Sequence, residues 1–170
     1  MDDETIAFEE VQPFRQIWIH IIVLTITLMT WYGAIQQLIF KEPFGNNPAS
    51  DSLMFVLWLA IGIGFPLFFY SMKLITQVRS NGLYVKFFPF HLSFKRFAFD
   101  KLRSYQAIEY RPLRDYGGWG IRYGLRGKAY NVSGTRGVMI EFTDGNRLMI
   151  GSQRSEEMAM AIREGVRRQR

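Results

Sequence analysis

The chain of 170 residues has no cysteine. That excludes a disulfide framework, a thiolate nucleophile and a thiolate metal site. Histidine is nearly as scarce. His20 and His91 stand far apart, and no carboxylate cluster accompanies either to make a ligand set. Ser133 and Ser152 have no histidine at a useful spacing for nucleophilic chemistry. Asp100, Glu109, Asp115, Glu141 and Asp144 sit among arginines or in turns, where pairing or exposure accounts for them. No catalytic residue, metal or cofactor is expected, and the chain does not read as an enzyme. The net charge is +6, but no nucleic-acid recognition motif accompanies it, so nucleic acid is not an expected partner.

Charge is also missing from two long stretches. Residues 16–40, between Arg15 and Lys41, contain 25 uncharged residues, and residues 52–72, between Asp51 and Lys73, contain 21. At about 1.5 Å per residue, either run as a helix crosses a hydrocarbon core of roughly 30 Å. The segment between them holds two prolines, a glycine and two asparagines and reads as a turn. The pattern predicts a transmembrane helical hairpin over residues 16–78, with the second helix continuing through Lys73 to Val78. An acidic lead, residues 1–15, precedes it, frayed or lying along the interface. It does not resemble a signal peptide, which would be basic at its start and carry a shorter apolar run.

Within the hairpin, Trp18 and His20 fall near one end, where aromatic and amphipathic side chains favour the headgroup layer. Trp31 lies deeper and is expected to face the partner helix. Thr25, Thr27 and Thr30 can bond their own backbone carbonyls. Gly62 and Gly64 permit close helix approach, and Pro66 should kink the second helix.

The basic residues lie mostly after the hairpin: nineteen of the 21 follow residue 72. Lys73, Arg79, Lys86, Lys95 and Arg96 come in quick succession, whereas the connecting loop offers only Lys41. The positive-inside rule then puts the loop outside and both termini in the cytoplasm, for a multi-pass protein of the inner membrane. Lys73, Arg79 and Trp18 are the candidate membrane-surface contacts, because anionic lipid headgroups attract such cations.

Residues 79–170 read as a second domain. Asn81-Gly82 is a turn, and from there the apolar pattern has period two. Leu83, Val85 and Phe87 alternate with Tyr84, Lys86 and Phe88. Residues 89–91 turn the chain into a second strand over residues 92–98, with His91 exposed in the turn. Residues 101–110 form a third strand. After a glycine-rich segment come strands at 128–132 and 138–143, the Asp144-Gly145 hairpin turn and a return strand at 147–150. A helix closes the chain, capped by Ser155, with Met158, Ile162 and Val166 spaced to pack on the sheet. The fold class is α+β: the hairpin, then a small antiparallel β-barrel capped by a C-terminal α-helix.

The chain resembles small prokaryotic membrane proteins of unknown function that carry a pleckstrin-homology-like (PH-like) domain after a two-helix hairpin. The residues that carry the resemblance are Gly117-Gly118-Trp119-Gly120-Ile121-Arg122, Lys128-Ala129-Tyr130-Asn131-Val132, Gly137-Val138, Asp144-Gly145 and Ile150-Gly151-Ser152. The resemblance implies a fold and a location, not an activity.

The glycine-rich segment 111–127 is the candidate binding loop. Arg111, Arg114, Arg122 and Arg126 suit phosphate or carboxylate, and Tyr116 and Trp119 suit stacking or a headgroup layer. The alternative is a bulged hairpin with Trp119 packed over the barrel end. The segment lacks the G-K-S/T ending of a phosphate loop. The expected function is an integral membrane protein that anchors an interaction domain at the inner surface, for a protein partner or anionic lipid. The alternative is an oligomeric transporter or channel subunit with a regulatory domain.

Overall fold

The computed structural model describes residues 5–124 and 126–169. The first part of the acidic lead and the terminal Arg170 lie outside them. The chain divides into two compact units. One comprises Phe14–Ser71, and the other combines Met1–Pro13 with Met72–Arg170.

The helical unit contains α1 (Ile17–Ile39) and α2 (Asp51–Ser71), both long and apolar enough to cross a membrane. Large apolar side chains such as Ile22, Leu24, Met29, Leu59 and Leu67 are exposed along them. A core helix of a water-soluble domain would bury such a surface. Ser50 caps α2 by accepting the Leu53 N–H at 3.3 Å. Thr25 and Thr30 donate to the carbonyls of Ile21 and Ile26, as expected of intrahelical hydroxyls. Pro66 has no N–H to offer the Gly62 carbonyl four residues before it. Trp31, reaching from α1, donates its Nε1–H to that carbonyl at 3.0 Å. Its ring meets Trp58 edge-on at 5.2 Å. The expectation that Trp31 faces the partner helix therefore holds. Upstream of the proline, α2 widens into a π-helical turn over Trp58–Gly64.

The α+β unit departs from expectation at its start. Residues Ile6–Pro13 form strand β1, not a frayed lead. Lys73–Arg79 form strand β2, not a continuation of the helix. The sequence Lys-Leu-Ile-Thr-Gln-Val-Arg alternates, and Leu74, Thr76 and Val78 point into the core. β2 pairs antiparallel with β1 on one side and with β3 (Gly82–Phe88) on the other. Two ladders outweigh any helical tendency of seven residues. β4 (Lys95–Phe97) completes a four-stranded sheet in the order β1-β2-β3-β4.

A 3-10 turn at Phe99–Lys101 buries Phe99 and carries the chain into a second sheet. Its strands are β5 (Leu102–Glu109), β6 (Gly120–Gly124), β7 (Gly127–Asn131), β8 (Arg136–Phe142) and β9 (Arg147–Gly151). The order is β5-β8-β9-β7-β6, with β7 and β9 parallel. The expected closed antiparallel barrel is thus corrected. Among the described residues the strands form two separate sheets, one of them mixed. β4 is only three residues long, and the 3-10 turn interrupts the ladder where a barrel would have to continue.

The helices of this unit are the short α3 (Pro112–Tyr116) and the terminal α4 (Ser155–Gln169). α4 packs against both sheets. Its Met158 and Ile162 are fully buried, with Leu74, Val85 and Phe87 of the first sheet and Val138, Ile140 and Ile150 of the second completing the core. Ser155 lies within the first turn of α4 and is buried rather than capping it. Ser152, three residues earlier, accepts the Arg154 N–H instead. A smaller cluster of Tyr110, Tyr116, Ala129 and Met149 fills the opposite face of the second sheet.

Candidate functional site

The glycine-rich segment is largely occupied with its own architecture. Pro112 starts α3, and the Asp115 carboxylate reaches back to accept the Arg111 N–H at 2.9 Å. Gly117, at φ +70°, ends the helix, and Gly117 and Gly118 donate to the carbonyls of Leu113 and Pro112. The Gly117 bond to Leu113 is that of an αL C-cap, which needs a residue tolerant of the left-handed region. Asn131, fully buried, accepts the Gly120 N–H at 2.9 Å and donates to the Gly118 carbonyl. Asn131 is therefore a structural clamp on the start of β6.

Tyr116 is only 4% exposed and stacks edge-on against Tyr110, so it is a plug of the smaller core rather than a contact residue. Trp119 is half-buried. Arg122 is exposed, with its Nε–H donating to the Trp119 carbonyl at 2.8 Å. Arg126 lies 4.0 Å from Asp115. Arg111, Arg114 and Arg126 share a surface depression, but Glu109 and Asp115 line it as well. The charge there is mixed, and an anion gains little from it. The other expected carboxylate pairings also occur: Glu109 with Arg136 at 3.4 Å, and Glu141 with Arg103 and Arg147.

The membrane-surface candidates belong to both compact units. Trp18 is half-exposed near the start of α1. Lys73 is exposed at the first position of β2. Arg79 stands at the other end of that strand, about 20 Å away along an extended chain. Its guanidinium folds back over the Tyr84 ring at 4.3 Å and donates to Gln77.

A different site emerges at the junction of β4, β6, β7 and β9. Lys95, Phe97, Tyr123, Gly124, Gly127, Lys128, Tyr130, Phe142, Asn146, Arg147 and Leu148 line a groove of about 480 Å³. That is within the usual range for small-ligand sites. Three cations, Lys95, Lys128 and Arg147, converge on it, and no carboxylate is among its lining residues. The Lys128 ammonium lies 4.9 Å from the ring centroids of both Tyr123 and Tyr130. Burial favours the neutral amine, but the two tyrosine hydroxyls outweigh it and raise the Lys128 pKa. Lys128 also pulls the Tyr123 hydroxyl below its ordinary value, chiefly by hydrogen bonding. Gly127, at φ +102°, is required where β7 passes the Arg147 carbonyl, because a Cβ would collide with it.

His91 adjoins this groove. It is half-buried, not exposed, and its ring meets Tyr130 edge-on at 5.3 Å. Burial, with Lys95 and Lys128 nearby, holds its pKa below the ordinary histidine value. Its Nδ1 accepts the Phe87 N–H at 3.2 Å, which requires that nitrogen to be unprotonated.

Sequence reasoning missed this groove. A period-two reading relates Lys128 to Tyr130 on one face, but Lys95 and Arg147 arrive from other strands. Only the parallel β7–β9 pairing, with Lys128 opposite Leu148, brings Arg147 alongside. Among the described residues no cluster of three or more histidine, aspartate or glutamate side chains is placed to hold a metal.

Neither a curated protein nor a solved structure matches the chain. A family profile matches residues 2–168, and the chain belongs to that family, a family of unknown function (DUF6141).

Proposed function

We propose that the protein is a membrane-anchored binding module. α1 and α2 cross the bilayer, and the α+β unit stands at its cytoplasmic face and binds an anionic lipid headgroup. Two sheets packed by one amphipathic C-terminal helix lend the PH-like reading support at the level of the α+β class alone, since one sheet is mixed and the described strands close no barrel. The observation that carries the reading is the groove: three cations set among aromatic side chains, with no carboxylate lining it. Phosphate suits the ammonium and guanidinium groups, and the aromatic walls suit the glycerol and first methylenes of a lipid. The excess of basic residues after α2 supports the cytoplasmic orientation.

The test compares the detergent-solubilised protein with a Lys95→Ala/Lys128→Ala/Arg147→Ala variant. Each is titrated with short-chain phosphatidylglycerol and, separately, phosphatidylcholine, by calorimetry. Each cation contributes about 1 kcal/mol toward an anionic headgroup. Removing three therefore weakens phosphatidylglycerol binding on the order of a hundredfold, with little change for phosphatidylcholine. Equal affinity of the wild-type protein for the two lipids, or no loss in the variant, sinks the assignment. Unchanged melting of the variant establishes that its fold is intact.

A further inference from the structure

We propose that the turn after β3, residues 88–94, inserts into the interfacial layer of the bilayer. Phe90 and Leu92 embed there, with Lys86 and Lys95 at the lipid phosphates on either side. The proposal rests on the membrane-anchored reading above.

The turn reads Phe-Pro-Phe-His-Leu-Ser-Phe and holds no formal charge at neutral pH. Leu92 is 81% exposed and Phe90 57%, so the tip presents two large apolar side chains together. Such a patch on a polar domain marks a contact surface. The turn is also held in shape. His91 N–H donates to the Phe87 carbonyl at 2.8 Å, and the Phe87 N–H returns to His91 Nδ1. The Phe90 ring packs at 5.9 Å on Phe87, which is fully buried. The apolar tip is thus ordered before it meets anything.

Strand register decides what the tip faces. Pro13, the last residue of β1, is opposite Lys73, the first of β2. Lys73 is in turn opposite Phe88, the last of β3. The turn therefore projects from the same end of the sheet at which the chain leaves toward α1 and returns from α2. Only Phe14, Arg15 and Gln16 separate Pro13 from α1, and only Met72 separates α2 from β2. Short covalent connections thus tie that end of the sheet to both ends of the hairpin.

The flanks match the layer they would occupy. Lys86 Nζ lies 5.7 Å from the Phe88 ring centroid and 5.8 Å from that of Phe94. Lys95 lines the cationic groove, and His91 links the turn to that groove through Tyr130. Large apolar side chains at the tip with cations just behind them is the arrangement an anionic interface favours. A soluble protein partner would not require the apolar tip to share its sheet end with both crossing points.

The absence of cysteine permits single-site labelling of the full chain. Leu92→Cys, Phe90→Cys, Asp144→Cys and Ile26→Cys variants each carry an environment-sensitive fluorophore and are reconstituted in vesicles of phosphatidylcholine and phosphatidylglycerol. Nitroxide-labelled lipids, shallow or deep, serve as quenchers. The expected result is a blue-shifted emission at Leu92 and Phe90, quenched by the shallow nitroxide, with Ile26 quenched by the deep one. Asp144, on the β8–β9 turn, should remain water-like. If Ile26 is quenched while Leu92 and Phe90 behave like Asp144, the turn proposal is overturned and the anchor reading stands. If Ile26 is not quenched either, both fall.

Discussion

At the scale of single residues, three polar side chains hold the α+β unit together from unexpected places. Glu10 is buried on β1. Its carboxylate accepts from the Ser152 hydroxyl and from the Gln153 N–H at 2.9 Å. Gln12, two residues on, donates to the Gly151 carbonyl at 2.8 Å. A buried carboxylate is tolerable only when donors surround it, so these contacts bind β1 firmly to the β9–α4 junction. His91 is the third case. Its pKa is depressed below 6.5 by burial and by Lys95 and Lys128. Above the unfolded value the ring is neutral in both states. As the pH falls below 6.5, the unfolded chain takes the proton first, so stability is lost toward the folded pKa. Protonation also removes the acceptor of the Phe87 N–H. We therefore expect an NMR titration of His91 with a midpoint below that of a free histidine. We also expect a melting temperature that falls with acidification in this window, more in the wild-type protein than in His91→Phe. A midpoint at or above 6.5 contradicts the assignment.

At the scale of elements, the helical hairpin contains one hydrogen bond that its own sequence makes necessary. Pro66 leaves the Gly62 carbonyl without its usual partner in α2, and the Trp31 indole of α1 supplies a donor. Gly62 suits this contact, because a Cβ there would lie 3.1 Å from Trp58 and 3.3 Å from Trp31. Interhelical hydrogen bonds in apolar surroundings contribute about 0.6–2 kcal/mol. Trp31→Phe keeps much of the ring packing and removes the donor. It should lower the stability of the hairpin by that amount, measured by unfolding in mixed micelles. Pro66→Ala combined with Trp31→Phe should recover part of the loss, because α2 can then satisfy Gly62 itself. Equal destabilisation in the single and double variants would argue against this account.

At the scale of the whole molecule, the order of elements along the chain governs what can be removed. β1 precedes the two long helices and β2 follows them, yet they are neighbours in one sheet. A chain that starts at Met72 loses an edge strand together with Glu10 and Gln12. It uncovers the edge of β2 and leaves Ser152 and the Gly151 carbonyl without those partners. Such a chain should fail to unfold cooperatively in calorimetry. By contrast, a short glycine-serine linker in place of Phe14–Ser71 joins Pro13 to Met72 across paired strands. That chain should be water-soluble and melt cooperatively. Cooperative melting of the chain that starts at Met72 would show β1 to be dispensable.

The elements with strong local patterns were legible in the residues themselves. Two uncharged runs specified two long apolar helices, because every position in them avoids charge. Period two marked β3 and β8, and the Asp144-Gly145 turn marked the β8–β9 hairpin. The stripe of Met158, Ile162 and Val166 specified the packing face of α4. β1 and β2 were not legible, because seven or eight residues of mixed character become strands only when a distant partner supplies the ladder. The same holds for the split into two sheets and for the parallel β7–β9 pair. The candidate site divided along this line. The arginines of residues 111–127 stood out as a cluster in sequence, but Asp115, Asn131 and the local carbonyls occupy much of that segment. Lys95, Lys128 and Arg147 were three scattered cations until strand pairing placed them around one groove. Charge and hydropathy act locally and can be read from a sequence. Convergence depends on register between strands far apart in the chain, and tertiary packing alone decides that.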